Sequence, residues 1–448
     1  MSFLPPLLQN QPFRPVMAGV SLLHKLNDMR SLLVSLVMIL SLSATCQLIP
    51  ASAITPINKR EKYLDSLVAM IGDKRIVAIG EDTHGTGDFY DLRAAITERL
   101  IRQKGFTIVI LENPHEDMMA LQDHLATGNL DTLMRKHLFE IYQSKEMRHF
   151  LVWFRKQTAK QKNLKLAGCD DSFRDILPQY LLETAARYKD STLNSMCRDF
   201  MLRQTLNIKS YYQQTGRINK DSLPKPIDHR LATYRLTGQM DSLCISKKYN
   251  DALLKELIFH ARSNYAYFDP VTKKFSVSRD EMMGKRINFH AADPSAKIIV
   301  WAHSAHIARY AWLENEVGLM GATVAKQYPR DYFSIGLSGG TGSYSYINVL
   351  NINADHHFKD TLFQADLLPV LAGSWNQQLS EPKPAAFLVN FARLSTSERA
   401  EWEKPRTIKM LGYNKEKSTD KNYYPVSLPQ LFDALIFLKE THHTTALF

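Results

Sequence analysis

Cysteine is scarce in this 448-residue chain: Cys46, Cys169, Cys197 and Cys244 are all there is, with no C-x-x-C. That excludes a disulfide framework and a cysteine-built zinc centre. The H-E-x-x-H pattern of zinc peptidases is missing too. No run of five or six Lys/Arg occurs, although the net charge is +11. The excess is spread out and reads as solvated surface, so no nucleic-acid partner is expected. No internal repeat and no low-complexity tract is present.

Residues 31–45, SLLVSLVMILSLSAT, are nearly all apolar or small. That is the length of a signal-peptide h-region and short for a membrane span. Ala51-Ser52-Ala53 has the small-x-small form of a cleavage site. The expectation is an exported protein, periplasmic or extracellular, cut near Ala53, with Met29 a better start than Met1. A lipoprotein through Cys46, behind the poor lipobox Ser43-Ala44-Thr45, and a retained N-terminal anchor are the rivals. The chain thus divides into 1–53, signal or membrane segment, and 54–448, one α/β domain.

The informative stretch is Lys74–Lys104. Ile76–Ile79 is a short apolar run with three β-branched residues, a buried strand. Gly80–Gly85, GEDTHG, is too polar and glycine-rich to continue it. From Gly87, Phe89, Leu92, Ile96 and Leu100 recur at helical spacing, with Thr83 or Thr86 as N-cap. Glu81 and His84 therefore sit on a strand-to-helix loop, where α/β proteins place ligands. Arg93 lies on or beside the apolar stripe. It either snorkels outward or needs a buried partner, for which Glu81 is the candidate.

Further strands are expected at Phe106–Glu112, Leu164–Asp171, Lys297–His306 and Tyr332–Leu337. Gly339–Gly342 predicts a tight turn into an antiparallel strand at Tyr344–Ile352. Ala385–Phe391 and Phe432–Leu438 are later strands, whereas 355–380 and 400–425 read as loops with short helices. Residues 115–160 and 174–265 are helical by pattern, with a polar interruption around 215–228, and Ser278–Phe289 is another helix. The fold expected is α/β, a mostly parallel central sheet flanked by helices, with a helical insertion at about 115–265 covering the C-terminal strand edge.

Four strands end in ionisable groups: Glu81/His84, Glu112, Asp170/Asp171 and His303/His306. In a parallel sheet these ends share an edge. Imidazole beside carboxylate is general-base equipment, and a second histidine or an arginine can stabilise an oxyanion. Without an evident nucleophile, activated water is the economical choice. The same residues also make a nitrogen/oxygen set for a divalent metal. Gly336-Leu337-Ser338-Gly339-Gly340 matches G-x-S-x-G, but a strand rather than a helix follows it.

At these residues the sequence resembles the erythromycin esterase family. The matching pieces are Gly80–Gly85, the strand ending in Glu112, Trp153-Phe154-Arg155, Gly168-Cys169-Asp170, Ser278-Arg279-Asp280 with Met283, Trp301–His306, Met320-Gly321, Tyr332–Gly336, and Leu428-Pro429 with Phe432-Asp433-Ala434. The similarity covers roughly residues 58–446. It implies hydrolysis of a small-molecule ester or lactone, in characterised members a macrolide ring, by water activated at His84. It places Glu81, Arg93, Glu112, His303 and His306 at functional positions. Asp170 and Arg279 are expected to face the substrate, and no cofactor is expected, with a divalent metal as the open alternative. Asp82 stands where Ala is usual, and Ser304 where Asn is usual. A likeness to haem-binding and metalloprotease-like proteins keeps two alternatives: a metal-dependent hydrolase or peptidase on the same residues, and a non-enzymatic metal or haem binder.

Overall fold

The computed structural model describes residues 49–57, 60–171, 176–214, 230–266, 277–312, 318–347 and 362–448. The 31–45 segment, Cys46, the 215–228 interruption and the end of the Tyr344–Ile352 strand lie outside them. Among the described residues no helix is long and apolar enough to cross a membrane.

In chain order, β1 (Ile54–Pro56), α1 (Arg60–Ile71), β2 (Ile76–Ile79), α2 (Gly87–Lys104) and β3 (Ile108–Pro114) come first. Then follow α3 (His115–His124), α4 (Leu130–His137), α5 (Lys145–Lys160) and β4 (Lys165–Asp170). Next are α6 (Ile176–Ala186), α7 (Ser191–Gln214), α8 (Arg230–Ser246), α9 (Ala252–Ser263), α10 (Arg279–Ala291), β5 (Ile298–Trp301), α11 (Leu319–Gln327) and β6 (Tyr332–Tyr346). The last are β7 (Phe363–Asp366), α12 (Trp375–Ser380), β8 (Ala386–Asn390), α13 (Thr396–Trp402), β9 (Arg406–Lys409), β10 (Tyr423–Val426), α14 (Leu428–Leu431) and β11 (Ala434–Thr441).

The expected mostly parallel sheet is present. Its order is β1-β8-β11-β6-β2-β5-β3-β4, with β7 paired to β6. From β11 to β4 every pairing is parallel; β8 and β1 add an antiparallel edge. β2 and β3 form the expected βαβ unit through α2, but β5 enters between them, with Ile298 in register with both Ile76 and Ile108. β2 and β5 are wholly buried, as their unbroken apolar sequences require.

Alternation decides which layer each strand residue enters. Val77, Ile79, Val109, Leu111, Ile299 and Trp301 pack with Phe89, Ile96 and Leu100 of α2 and Phe150, Leu151 and Phe154 of α5. Each such side chain contributes roughly 1.5–3 kcal/mol by leaving water. Helices α6 to α9 bury a core of their own around Leu181, Phe200, Met240 and Leu257. Cys169, Cys197 and Cys244 are buried free thiols.

Three expectations change. Thr86 occupies the N-cap of α2, yet its hydroxyl makes no capping bond; it is spent on the Thr83 hydroxyl. The 400–425 interval, read as loop, contains the β9–β10 hairpin, and β7 lies within the 355–380 interval. Gly339–Gly342 is not a turn: β6 runs unbroken for 15 residues. Its glycines let β11 come close. A Cβ at Gly342, where φ is +113°, would meet the Thr441 carbonyl oxygen at 2.0 Å. Gly342→Ala is expected to lower stability by about 3 kcal/mol or more, through both overpacking and backbone strain. Urea unfolding measures it, and an unchanged midpoint would mean that the two backbones are not held this close.

Candidate active site

Gly80–Gly85 leaves β2 and is fixed by backbone bonds from four directions. Gly80 N–H donates to Ile335 O (2.8 Å), Ser304 N–H to Glu81 O (2.7 Å) and Leu411 N–H to Asp82 O (2.7 Å). His84 N–H donates to Gly412 O (3.0 Å), and Gly85 O accepts from Ser345 and Thr444. A Cβ at Gly85 would sit 1.8 Å from Ser345 O, so only glycine allows this approach. The loop after the missed β9 strand is thus part of the site's wall.

His84 Nδ1 lies 2.7 Å from Glu81 Oε1. The other carboxylate oxygen meets Arg93 Nη1 at 2.8 Å, with both side chains at 0% exposure. Arg93 does not snorkel. Its Nε donates to Gly80 O (3.1 Å) and its Nη2 to Ala302 O (2.8 Å). An ionised Glu81 accepts the Nδ1 proton of His84 and leaves the Nε2 lone pair outward. Tyr142 packs edge-on at 6.3 Å and Tyr413 stacks at 6.2 Å, while Tyr90 O–H donates to His84 O.

The His303 ring centroid is 5.1 Å from that of His84. Its Nδ1 accepts from Ala305 N–H (3.2 Å), and its Nε2 faces Asp82 O (3.1 Å) and Gly412 N (3.2 Å). Burial, helped by the neighbouring imidazoles, pushes its pKa down to about 3. His303 is neutral and its ring nitrogens are occupied by backbone. The expected oxyanion-donor role does not fit this ring.

His306 is the charged one. Its Nδ1 bonds Asp280, and its Nε2 lies 3.3 Å from Glu112 Oε1. Burial opposes its charge, but Glu112 and Asp280 outweigh that and lift its pKa to about 10. Glu112 also accepts from His303 N–H (2.8 Å). Burial works against its ionisation, yet His306, His84 and Arg279 hold its carboxyl well below the usual range. Arg279, 44% exposed, grips Asp170 through Nε (2.7 Å) and Nη2 (2.5 Å) and reaches Glu112 at 3.8 Å.

The sheet edge therefore gathers Glu81, His84, Glu112, His303, His306 and, through Arg279, Asp170. Asp171 turns away to Arg286 (2.8 Å). Asp280, in the first turn of α10 and noted in the sequence only within a matching piece, is the side chain that holds His306 Nδ1. Its Oδ2 also accepts from Met320 N–H (2.9 Å), at the start of α11, and no local pattern announces that. Ser338 is not a nucleophile: its Oγ donates to Asp82 (2.8 Å) and accepts from Asn376 (3.0 Å). Asp82, with Gly339 N–H as its second donor (2.9 Å), locks the Gly80–Gly85 loop to β6. Nor do the histidines present a converging metal-ligand set, since both nitrogens of His303 face backbone and those of His306 face carboxylates.

The sequence profile of the family described as Erythromycin esterase matches residues 101–441. The chain belongs to the erythromycin esterase family. A putative hydrolase, YbfO, of Bacillus subtilis (strain 168) is 22% identical over 400 residues, spanning 82% of this chain and 85% of the relative. Erythromycin esterase type II of Escherichia coli is 23% identical over 298 residues, 61% of this chain and 71% of the relative. Among solved structures, a Bacillus cereus protein aligns with a TM-score of 0.73 at 19% identity, over 88% of this chain and 97% of that one. A mutant erythromycin esterase in its open conformation aligns at 0.63 and 14%, over 86% and 96%. The structures support the fold, and the family and relatives make this esterase-family chain a hydrolase.

Two outcomes test the electrostatics. Arg93→Met leaves Glu81 buried without its counter-charge and is expected to cost about 3–5 kcal/mol. Adding Glu81→Gln recovers part of that loss in urea titrations, whereas simple additivity would deny the coupling. For His306 the folded pKa is raised, so its stabilisation is complete below its ordinary value of 6.5 and is lost as pH rises through about 10. The Tm gap between wild type and His306→Asn should therefore close near pH 10, and a gap that widens there would refute the assignment.

Proposed function

We propose that the protein is an exported carboxylic ester or lactone hydrolase in which His84 activates water. The observation that carries this is the buried Arg93–Glu81–His84 line, which ends in an imidazole Nε2 with no hydrogen-bond partner among the described residues. Nε2 takes a proton from water while the water oxygen attacks the ester carbonyl carbon. The carbonyl electron pair moves onto oxygen. The half-exposed Arg279 supplies positive charge for that oxyanion, while His306, cationic between Glu112 and Asp280, holds those two carboxylates in place. Collapse breaks the C–O bond, and the leaving alkoxide takes the proton back from His84. A lactone opens to a hydroxy acid.

Glu112, ionised and held by His306, His303 N–H and Arg279, positions the water and His84. Asp170 orients Arg279 toward the substrate. His303 acts as a neutral spacer between the two charged groups. The step as proposed needs no metal, and the metal- or haem-binding alternative gains nothing from a His303 whose nitrogens face backbone. The reading of the N-terminal 53 residues as an export signal supports an activity in the periplasm or outside the cell. The family supports a small ester or lactone as substrate, with a macrolide ring as the first compound to try.

The test is a panel of esters and lactones, including a 14-membered macrolide, with wild type and His84→Ala. Loss of about 10²–10⁴-fold in kcat with an unchanged circular dichroism spectrum is expected. Full turnover in His84→Ala would remove the mechanism.

A further inference from the structure

Away from the strand-edge site lies a second histidine cluster. Glu256 and His260 are four apart on α9 and share one helix face. His290 comes from the last turn of α10 and His115 from the first residue of α3. Ligand-capable atoms of these four residues all lie within 4.8 Å of one another. His260 is 1% exposed. Its Nε2 and that of His290 are buried without a hydrogen-bond partner among the described residues. A buried polar atom left bare costs free energy, and two imidazoles bare beside one carboxylate suggest a missing cation.

The four residues are not equivalent. The rings of His115 and His260 stack at 3.9 Å with 9° between their planes. Parallel stacked imidazoles direct their in-plane lone pairs side by side, so they do not converge on one ion. His115 Nδ1 accepts from Gly168 N–H (3.3 Å), which leaves the proton on Nε2, 3.0 Å from Glu256 Oε1. His115 Nε2 thus turns its proton to the carboxylate at contact distance without hydrogen-bond geometry, so it is not a ligand in this tautomer, and His260 is the ring of that stack free to ligate. The cation farther back on α10, Arg286, is already paired with Asp171.

We propose a divalent transition-metal site made of His260, His290 and Glu256, with His115 as its positioning residue and water completing the coordination. Two imidazoles and a carboxylate suit zinc or iron(II) rather than calcium or magnesium. The separations require the rings to close in somewhat, since ligand nitrogens sit about 2.0–2.1 Å from zinc. Bound there, the ion crosslinks α9, from the separate helical core, to α10, whose first turn carries Arg279 and Asp280 of the hydrolase site.

Metal-stripped full-length protein titrated with Zn²⁺ should bind one equivalent and gain thermal stability. Co²⁺ should give the visible d–d absorption of a low-coordinate site. Glu256→Gln, which keeps shape and packing, and His290→Asn should abolish both signals. His115→Asn should weaken binding by about 10–100-fold, and His84→Ala should leave it intact. Absence of stoichiometric binding, binding that survives Glu256→Gln in protein folded by circular dichroism, or binding lost in His84→Ala would each overturn the proposal.

Discussion

A guanidinium with no exposed surface, Arg93, sets the terms for the strand edge. Burying that charge costs several kcal/mol unless its donors are satisfied. Its charge is met by Glu81 Oε2, 2.8 Å from Nη1; Nε and Nη2 donate to Gly80 O and Ala302 O, and the group lies over the Trp301 ring at 5.6 Å. One side chain from α2 thereby ties the loop after β2 to the turn after β5. Those segments carry His84 and His303 respectively. The same contact fixes the Glu81 carboxylate against His84 Nδ1, which in turn sets which nitrogen of His84 faces outward. Packing, charge and tautomer are one linked problem.

Beyond Glu81, charge is laid out in alternation. Arg279 faces Asp170 and Glu112, and His306 faces Glu112 and Asp280. Each cation has more than one carboxylate, so each stays charged despite burial or partial burial. His303 sits between the His306 group and His84 and is held neutral by the same burial. A second cation there would raise the cost of charging His306. A neutral ring bonded to backbone fills the space and transmits position without adding charge.

Much of this was legible in the sequence because the strand residues announce themselves. Ile76–Ile79, Phe106–Glu112 and Ile298–Trp301 are apolar because the sheet covers them on both faces, and each ends abruptly in polar residues. The parallel edge then follows from α2 and the other crossovers. What was not legible depends on distant partners. Gly339–Gly342 looks like a turn, since glycine marks both turns and close backbone approach, and only the neighbour β11 distinguishes them. Arg93 looked ambiguous until its partners were placed. Asp280 resembles any first-turn carboxylate, and its bond to His306 spans 26 residues. The β9 and β10 strands are short and mixed, with too little periodicity to separate from loop.

The arrangement also explains how relatives at 14–23% identity share this fold. The Gly80–Gly85 loop is held mainly through main-chain groups: Gly80, Glu81, Asp82, His84 and Gly85 all use backbone N–H or C=O to reach β6, the turn after β5, the loop after β9 and the C-terminal segment. Backbone bonds tolerate substitution of the residues that supply them, so side chains around the loop can drift while His84 stays in place. The exceptions are the side chains that carry charge and glycines such as Gly85, where a Cβ has no room. Helices α6 to α9, by contrast, rest on their own apolar core and contribute no strand to the sheet. Their packing therefore does not fix the strand edge, which takes Arg279 and Asp280 from α10.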